Sequence, residues 1–360
     1  MIKIPGLIDV HVHMREPGGS HKEDWSSGTA AALAGGVTMV LAMPNTNPPI
    51  FDPESLETAL SAAIDGARCD YAQFIGAGPE NAAQASQLAS RVAGLKMYLD
   101  MTYGNLRLDD MSLWVPHFKH WSSDNPIVAH SEGHTMAAAI LIAAMHDRPI
   151  HIAHVSTREE ILTIRAAKEK GIKVTCEVAP HHLFLSAEDF PELSKNGKYP
   201  GRAEVRPVLA AARDVQALWQ NLDVIDCFAT DHAPHTLSEK DGHHPPPGFP
   251  GLETALPLLL TAVDQGKLTL EDLVTRLVDN PRRIFHLPLQ PETWVEIDPA
   301  ASYTIHRANL FTKCGWTPFD GWKVRGKINQ VVLRGETVFK SGEVLAKPGF
   351  GKNVRCSDYQ

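Results

Sequence analysis

Short apolar runs alternate along the chain with segments rich in Ala, Leu and Glu. The runs are apolar throughout, which is typical of parallel strands buried on both faces. The segments between them, such as 54–64, 135–145 and 159–170, are predicted to be helices. Thr157 precedes the last of these helices and Glu160 stands three residues on, which is the pattern of a capping box. The runs predicted as strands are 7–13, 37–44, 72–77, 95–100, 126–132, 150–156, 173–180 and 224–235.

Eight strand–helix units within about 280 residues agree with the number of units and the length of a (β/α)8 barrel. The pattern therefore predicts an α/β fold, with a TIM-type barrel over residues 1–288. A doubly wound sheet is the alternative, because alternation alone does not show whether the sheet closes. From about residue 290 the pattern changes to strands joined by tight turns such as Arg334-Gly335. We predict a small C-terminal β appendage over 289–346 and a linker-like tail over 347–360.

Composition narrows the class of protein. The chain has 34 Lys and Arg against 42 Asp and Glu, a formal net charge of −8. Without a basic excess to neutralise phosphates, no nucleic-acid partner is expected. No apolar run approaches the length of a membrane span. The 5 cysteines are scattered with no C-x-x-C pair, which favours a reducing, cytoplasmic setting over a disulfide framework.

Polar residues stand at the ends of the predicted strands. His11 and His13 close the first run two residues apart, so they point the same way. His130 and His154 end the fifth and sixth runs, and Asp231 lies in the last. A single histidine in a strand is more often a hydrogen-bonded core residue. In a barrel, however, all these ends converge on one face, and four imidazoles with a carboxylate predict a site for zinc or a similar metal.

Lys96 lies inside the fourth apolar run, where a lysine is costly to bury as a cation. It is either a snorkelling side chain, one half of a buried pair with Asp231, or a reactive amine. In the last case burial deprotonates the amine, which captures CO₂ as a carbamate. That carbamate would be an anion with two oxygens able to bridge two metal ions.

Three motifs carry a resemblance to a known family: DVHVHMREPG at 9–18, AMPNT at 42–46 and DHAPH at 231–235. With Lys96, His130 and His154 they resemble dihydroorotases of the amidohydrolase superfamily. Further similarity at 176–184, 245–263, 280–288 and 316–339 resembles one branch of that family. This is the dihydroorotase domain of the animal-type multifunctional pyrimidine-synthesis polypeptide, which also carries carbamoyl-phosphate synthetase and aspartate transcarbamylase.

The resemblance implies the reversible cyclisation of N-carbamoyl-L-aspartate to L-dihydroorotate and water in de novo pyrimidine (UMP) biosynthesis. It implies two Zn²⁺ per chain and a CO₂-derived carboxyl on Lys96, with Asp231 as the residue that moves the proton. It also implies a homo-oligomer, fused in nature to the synthetase and transcarbamylase domains. The implied metal ligands are His11, His13 and Asp231 for one ion and His130 and His154 for the other, with modified Lys96 between them.

The substrate is expected to be a small molecule carrying a carboxylate, which Arg15 can hold with two parallel hydrogen bonds. Without the motif, a salt bridge at the rim to Glu16 or Glu23 would be the simpler interpretation of Arg15. Residues 101–105 resemble the mobile flap of the family. The resemblance implies substrate contacts from Arg15, Asn45, Thr102, Arg206, His235 and Pro247.

Two other functions remain open. Another cyclic-amide hydrolase, a hydantoinase (dihydropyrimidinase) or allantoinase, shares the metal ligands. Arg15 and Asn45 discriminate, because a hydantoin without a carboxylate does not need them. A catalytically silent scaffold domain is the non-enzymatic alternative, and it predicts lost metal ligands.

Overall fold

The computed structural model describes residues 1–357 and 359 and has an α/β fold in which fourteen strands are assigned. The strands are β1 (Ile2–Pro5), β2 (Leu7–Val12), β3 (Val37–Ala42), β4 (Asp70–Gln73), β5 (Ile75–Gly76), β6 (Leu95–Tyr98), β7 (Ile127–His130), β8 (Ile150–Ile152), β9 (Val174–Val178), β10 (Cys227–Phe228), β11 (Trp294–Thr304), β12 (Lys323–Leu333), β13 (Glu336–Lys340) and β14 (Glu343–Val344).

Helices fill most of the connections between the parallel strands. They are α1 (Trp25–Ala34), α2 (Pro53–Gly66), α3 (Ala82–Gln87), α4 (Trp114–His120), α5 (Gly133–Met145), α6 (Arg158–Glu169), α7 (Pro180–Phe184), α8 (Phe190–Leu193), α9 (Ala212–Gln220), α10 (Leu237–Lys240), α11 (Ala255–Asp264), α12 (Leu270–Val274) and α13 (Asn280–Ile284). The predicted capping box at α6 is confirmed, since the Thr157 side chain accepts a hydrogen bond from Glu160 N. Across residues 1–357 and 359, no helix has both the length and the apolar character that a membrane crossing requires.

Two parallel sheets carry the eight predicted strand regions. One has the order β2-β3-β4 and the other β10-β9-β8-β7-β6-β5, and Phe74 alone separates β4 from β5. At the other end, an isolated parallel bridge pairs Val12 with His232, and His13 N donates to His232 O at 2.8 Å. Each predicted run contains a strand, so the α/β prediction is confirmed.

The parallel strands are apolar because both of their faces are buried. In β3, Met39 and Leu41 belong to one buried cluster, while Val40 and Ala42 belong to another. Packing of this kind leaves the strand ends and the loops after them as the places where polar side chains are tolerated.

The third sheet is antiparallel, in the order β1-β11-β12-β13-β14. Its last four strands lie within the predicted appendage. Its first strand comes from the opposite end of the chain, since Ile2 pairs with Ile297 and Pro5 pairs with Trp294. A four-residue strand directly before β2 has too short a pattern to be separated from it by sequence. The division at residue 288 stays a prediction, with β1 belonging to the sheet that lies beyond it.

The tail was predicted to be linker-like, and for its described part this is wrong. Val354 N donates to Tyr71 O at 2.9 Å, which attaches the tail beside β4. Buried Asp70 accepts from Lys352 N at 3.0 Å and from the Tyr359 hydroxyl at 2.8 Å. These contacts depend on a buried carboxylate almost 290 residues away, which hydrophobic patterning does not reveal. Residues 358 and 360 of the predicted tail lie outside the described part.

Candidate metal and substrate site

Ten of the twelve predicted site residues line one cleft at the carboxyl ends of the parallel strands. The two others are Lys96, which is fully buried, and His235, which lies behind Arg15. The prediction assigned no role to Tyr98, Ala233 or Gly248, which also line the cleft. The complete lining is His11, His13, Arg15, Asn45, Tyr98, Thr102, Tyr103, His130, His154, Arg206, Asp231, Ala233, Pro247 and Gly248.

His11 and His13 direct their Nε2 atoms at one carboxylate oxygen. The distances to Asp231 Oδ1 are 3.3 Å from His11 and 3.1 Å from His13. On the far side of each ring, His11 Nδ1 contacts Glu177 Oε1 and His13 Nδ1 lies 2.7 Å from Asn45 Oδ1. Because those oxygens are acceptors, each Nδ1 carries the ring proton, and each Nε2 presents a lone pair to Asp231.

This donor set fits a metal ion. Two lone pairs and a carboxylate oxygen converge, and their ligand atoms lie within 4.8 Å of one another. Burial lowers the pKa of His11 and, further, that of His13, so both rings are neutral. Burial raises the pKa of the Asp231 carboxyl. A cation bound among the three would favour the carboxylate anion, and imidazole nitrogen with carboxylate oxygen is a ligand set that zinc accepts.

His130 and His154 form a second pair of ligand nitrogens beside the first. His130 Nδ1 lies 2.8 Å from His154 Nε2, and the His154 ring centroid lies 5.3 Å from that of His11. His130 Nε2 lies 3.3 Å from Met101 O, which favours a ring proton on Nε2 and a lone pair on Nδ1. Burial lowers the pKa of both histidines well below the usual range, so they are available as neutral ligands.

Lys96 projects from β6 into the protein with its amine unpaired. Within the described residues, its fully buried Nζ has no hydrogen-bond partner, and it lies 5.3 Å from the centroid of the Tyr98 ring. The alternative of a direct ion pair with Asp231 is therefore not formed. Burial lowers the pKa of Lys96 to about 8 despite the nearby carboxylates of Glu177 and Asp231. A buried amine with a lowered pKa and no partner is chemically suited to react with CO₂.

Two buried carboxylates hold the first strand end in place. Asp9 accepts from His11 N and from Thr230 N, each at 3.1 Å, and so links β2 to the strand end that carries Asp231. Burial raises the pKa of Asp9 to about 7. Glu177 accepts from His11 Nδ1; burial opposes its charge, but His11 and His151 lower its pKa below the usual range. Asp9 lies within the DVHVH motif, so the motif signalled its position without indicating its role.

Three site residues adopt left-handed backbone conformations that L-residues other than glycine rarely use. The φ angles are 58° at Arg15, 37° at His154 and 46° at Asp231. Each such conformation costs on the order of 1–3 kcal/mol. It persists only where the surrounding structure fixes it, which is common at functional sites. Other non-glycine residues with positive φ, such as Asp147 and Lys195, do not line the cleft, so this conformation is shared by the site and by turns elsewhere.

Arg15 lies inside the cleft and not at its rim. Its Nε donates to Pro234 O at 3.1 Å, and its Nη2 lies 3.0 Å from His235 Nε2. Neither Glu16 nor Glu23 forms an ion pair with it, so the rim salt bridge considered from the sequence is wrong. A buried guanidinium without a carboxylate partner is suited to hold an anionic group of a ligand.

The loop after β6 lies against the cleft. Thr102 is part of the lining, and Asn45 Nδ2 donates to Tyr103 O at 2.9 Å. Gly104 has a φ of +101°, a conformation that glycine supplies without strain. The predicted flap therefore contacts a predicted substrate residue directly.

Comparisons with known proteins show which family the chain belongs to. A family model described as Dihydro-orotase-like matches residues 1–90. The chain is 56% identical over 356 residues to the multifunctional protein CAD of Squalus acanthias, covering 99% of this chain but only 16% of that protein. It is 37% identical over 380 residues to the dihydroorotase of Pyrococcus abyssi, covering 99% of this chain and 88% of that enzyme.

A solved structure is similar along nearly the whole length of both chains. It is the inactive dihydroorotase-like domain of the Chaetomium thermophilum CAD-like multifunctional protein, with 30% sequence identity, a TM-score of 0.83 and 98% coverage of each chain. Similarity of fold in this group therefore extends to a domain described as inactive, and the side chains of the cleft must decide the activity.

Proposed function

Since the chain belongs to the dihydroorotase family, we propose that it catalyses the reversible cyclisation of N-carbamoyl-L-aspartate to L-dihydroorotate and water in pyrimidine biosynthesis. The observation that carries this proposal is the meeting of His11, His13 and Asp231 beside buried Arg15. It joins a metal-ligand set to a cation suited to the carboxylate of the substrate.

We propose that the site holds two Zn²⁺. His11, His13 and Asp231 would bind one ion, His130 and His154 the other, and a carbamate on Lys96 would bridge them. When bound, the ions would polarise the amide carbonyl and activate water for attack on it. The unpartnered Lys96 amine supports the carbamate, because its reaction with CO₂ releases one proton and leaves an anion among cations.

The chain's own residues then orient the substrate and move the proton. Arg15, with Asn45 and His235, would hold the carboxylate outside the ring, and backbone groups near Arg206 and Pro247 would contact the ring. In ring opening, the Asp231 carboxylate accepts the proton of the attacking water and gives it to the ring nitrogen as the C–N bond breaks. In cyclisation the same carboxyl group runs these transfers in reverse.

We also propose how the sheets are arranged around this site. The Val12–His232 bridge and the single residue between β4 and β5 support closure of the two parallel sheets into a (β/α)8 barrel. The barrel would comprise residues 1–288, apart from β1, and 289–346 would form the appendage. The substrate would then enter at the carboxyl ends of the strands, where (β/α)8 barrels have their active sites.

We further propose the fusion partners, the location and the assembly of the chain. The chain spans about 16% of the length of the two multifunctional relatives that it matches at 52–56% identity. This supports fusion to carbamoyl-phosphate synthetase and aspartate transcarbamylase domains. Its five cysteines are all free, which supports a reducing, cytoplasmic location. We propose a homo-oligomer for the assembly.

Turnover of matched substrates tests the proposed function. The zinc-loaded chain should open L-dihydroorotate and leave a hydantoin without a carboxylate essentially unreacted. The converse preference would assign the chain to the hydantoinases. The similarity to the inactive domain of Chaetomium thermophilum favours a silent scaffold as the second candidate, and absence of turnover on both substrates with full zinc content would support it.

Replacement of Arg15 should weaken transition-state binding while leaving the metal ligands intact. Arg15→Ala removes a buried charge-assisted contact, so we expect kcat/KM for dihydroorotate to fall by about 30- to 1,000-fold, equivalent to about 2–4 kcal/mol. Zinc content should not change. Arg91→Ala, which removes an exposed arginine paired with Glu57, is the control and should behave like the wild type. An Arg15→Ala enzyme with wild-type kcat/KM would refute the assignment.

The flap of residues 101–105 should change position when substrate binds, because closure excludes water from the reacting atoms. Crystal structures with and without dihydroorotate should differ there, with Thr102 approaching the ligand. Thr102→Ala should slow turnover, since the variant loses that contact. An identical flap in both crystals together with unchanged rates in Thr102→Ala would contradict this expectation.

A further inference from the structure

Lys240 is a fully buried lysine that the proposed reaction does not use. It is the last residue of the short helix α10, in the connection that follows β10. Its Nζ donates to three backbone carbonyls, at 2.7 Å to Glu204 O, at 3.0 Å to Pro246 O and at 3.2 Å to Gly248 O. Three acceptors match the three hydrogens of an ammonium.

The three carbonyls belong to two separate connections, and each connection carries a predicted substrate contact. Glu204 lies two residues before Arg206, between α8 and α9, and its carboxylate lies 3.1 Å from Arg206 Nη1. The other two carbonyls flank Pro247, between α10 and α11. Gly248 N also donates to Glu204 O at 3.0 Å. Lys240 therefore joins the two connections where Arg206 and Pro247 line the cleft.

These contacts also set the direction of the Pro247 carbonyl. The carbonyls of its two neighbours face Lys240, whereas Pro247 O lies 3.0 Å from His235 Nε2. Gly248 packs closely against the lining of the cleft, since a Cβ on it would lie 2.5 Å from Ala233 O. The segment is therefore held between Lys240 on one side and the cleft on the other.

The surroundings of Lys240 make its hydrogen bonds difficult to replace. Its Nζ lies 5.5 Å from the centroid of the Phe249 ring and 5.6 Å from that of the Trp316 ring. Burial lowers the pKa of Lys240 to about 7, but a neutral amine would still donate two hydrogens to these carbonyls. An apolar side chain at this position would leave all three carbonyls without this donor, which costs free energy inside a protein.

We propose that Lys240 is a positioning residue for the substrate: by binding three backbone carbonyls, it holds residues 204–206 and 246–248 together at the cleft. The inference rests on the proposed function for the identity of the substrate. The link between the two stretches is a property of the protein without substrate, so it is measured without turnover.

The test compares zinc-loaded wild type with Lys240→Met, Lys240→Arg and Arg276→Met. Arg276 is the matched control, because it is a buried cation that donates to Leu222 O at 2.6 Å and to Ile225 O at 3.0 Å and is not part of the cleft lining. Hydrogen exchange, measured by mass spectrometry on peptides covering 200–207 and 244–252, reports the link between the two stretches. Steady-state kinetics on dihydroorotate separate KM from kcat, and thermal unfolding reports the stability of each variant.

We expect faster exchange in both stretches of Lys240→Met, an intermediate rate in Lys240→Arg and wild-type exchange there in Arg276→Met. Lys240→Met should raise KM about tenfold, the effect of one lost hydrogen bond to the substrate, while kcat changes less because the metal ligands stay in place. Lys240→Arg should recover part of this loss, since a guanidinium still donates to carbonyls. Arg276→Met should lower stability without raising KM.

Wild-type exchange in both stretches of Lys240→Met, or a KM no higher than that of Arg276→Met, would overturn the proposal. If Lys240→Met does not fold, Lys240→Arg decides, and wild-type exchange together with a wild-type KM in that variant would overturn it. If no protein in the series opens dihydroorotate, the proposed function fails, and hydrogen exchange still decides whether Lys240 joins the two stretches.

Discussion

Asp231→Asn should retain most of its zinc and slow both directions of the reaction by at least ~10²-fold, within the usual range for a lost general acid–base group. Asparagine keeps the size of the side chain and one oxygen ligand, but it cannot accept and return a proton. The position of Asp231 makes the result specific, since a single oxygen, Oδ1, faces both His11 and His13.

Both directions must be measured at one pH in this experiment. Carbamoyl aspartate has two carboxylates and dihydroorotate has one, so cyclisation consumes a proton and pH shifts the equilibrium whatever Asp231 does. A parallel loss in ring opening and ring closure is the result that identifies one proton-transfer group. Near-wild-type turnover in Asp231→Asn, with zinc content confirmed, would move that role elsewhere in the cleft.

Lys96→Ala should abolish detectable turnover and weaken zinc binding by on the order of 100-fold or more, since it removes a ligand as well as the support of its neighbours. The native protein should show the mass of one added CO₂, which Lys96→Ala lacks. Small carboxylic acids such as acetate should restore part of the activity of the variant, because they can place a carboxylate in the space that the side chain leaves.

The control for Lys96 is a lysine that lies outside the cleft. Lys168→Ala removes a partly exposed lysine paired with Asp226, and it should keep both zinc and turnover. An unmodified Lys96 in a fully active, zinc-loaded enzyme would show that the carbamate is not needed. In that case burial of the unpartnered amine would destabilise the fold without serving the reaction.

The strands and the candidate metal ligands could be predicted from the sequence because both depend on local pattern. Parallel strands buried on two faces must be apolar, so a polar residue at the end of such a run stands out, as His130 and His154 do. The count of eight strand–helix units predicted a barrel, in which these strand ends lie on one face. The predicted substrate contacts in long loops, Arg206 and Pro247, had no such pattern, and only the resemblance to a family indicated them.

What could not be predicted depends on contacts between distant residues. The tail looked like a linker because its partner is Asp70, a carboxylate buried beneath it. The first strand was hidden because its partner, β11, lies almost 300 residues further on. Likewise, Lys22 Nζ lies 3.0 Å from His235 Nδ1 and 2.9 Å from Glu239 Oε1, and these residues meet only in the folded chain.

Some alternatives were decided by side-chain geometry. Arg15 had a simpler interpretation as part of a rim salt bridge. It is buried, and it pairs with no carboxylate in the part of the chain that the structure describes, which removed that interpretation. Lys96 had a simpler interpretation as half of an ion pair with Asp231. Among the described residues its Nζ has no hydrogen-bond partner, which removed that interpretation. Neither outcome follows from residue type or spacing.

The most direct test of the central claim is formation of dihydroorotate from N-carbamoyl-L-aspartate, measured on one preparation as isolated, after chelation and after zinc is restored. The metal content of each sample is measured alongside. We predict that cyclisation is lost on chelation and returns in proportion to bound zinc, reaching a maximum near two ions per chain. A chain that holds two zinc ions and forms no dihydroorotate would contradict the proposal.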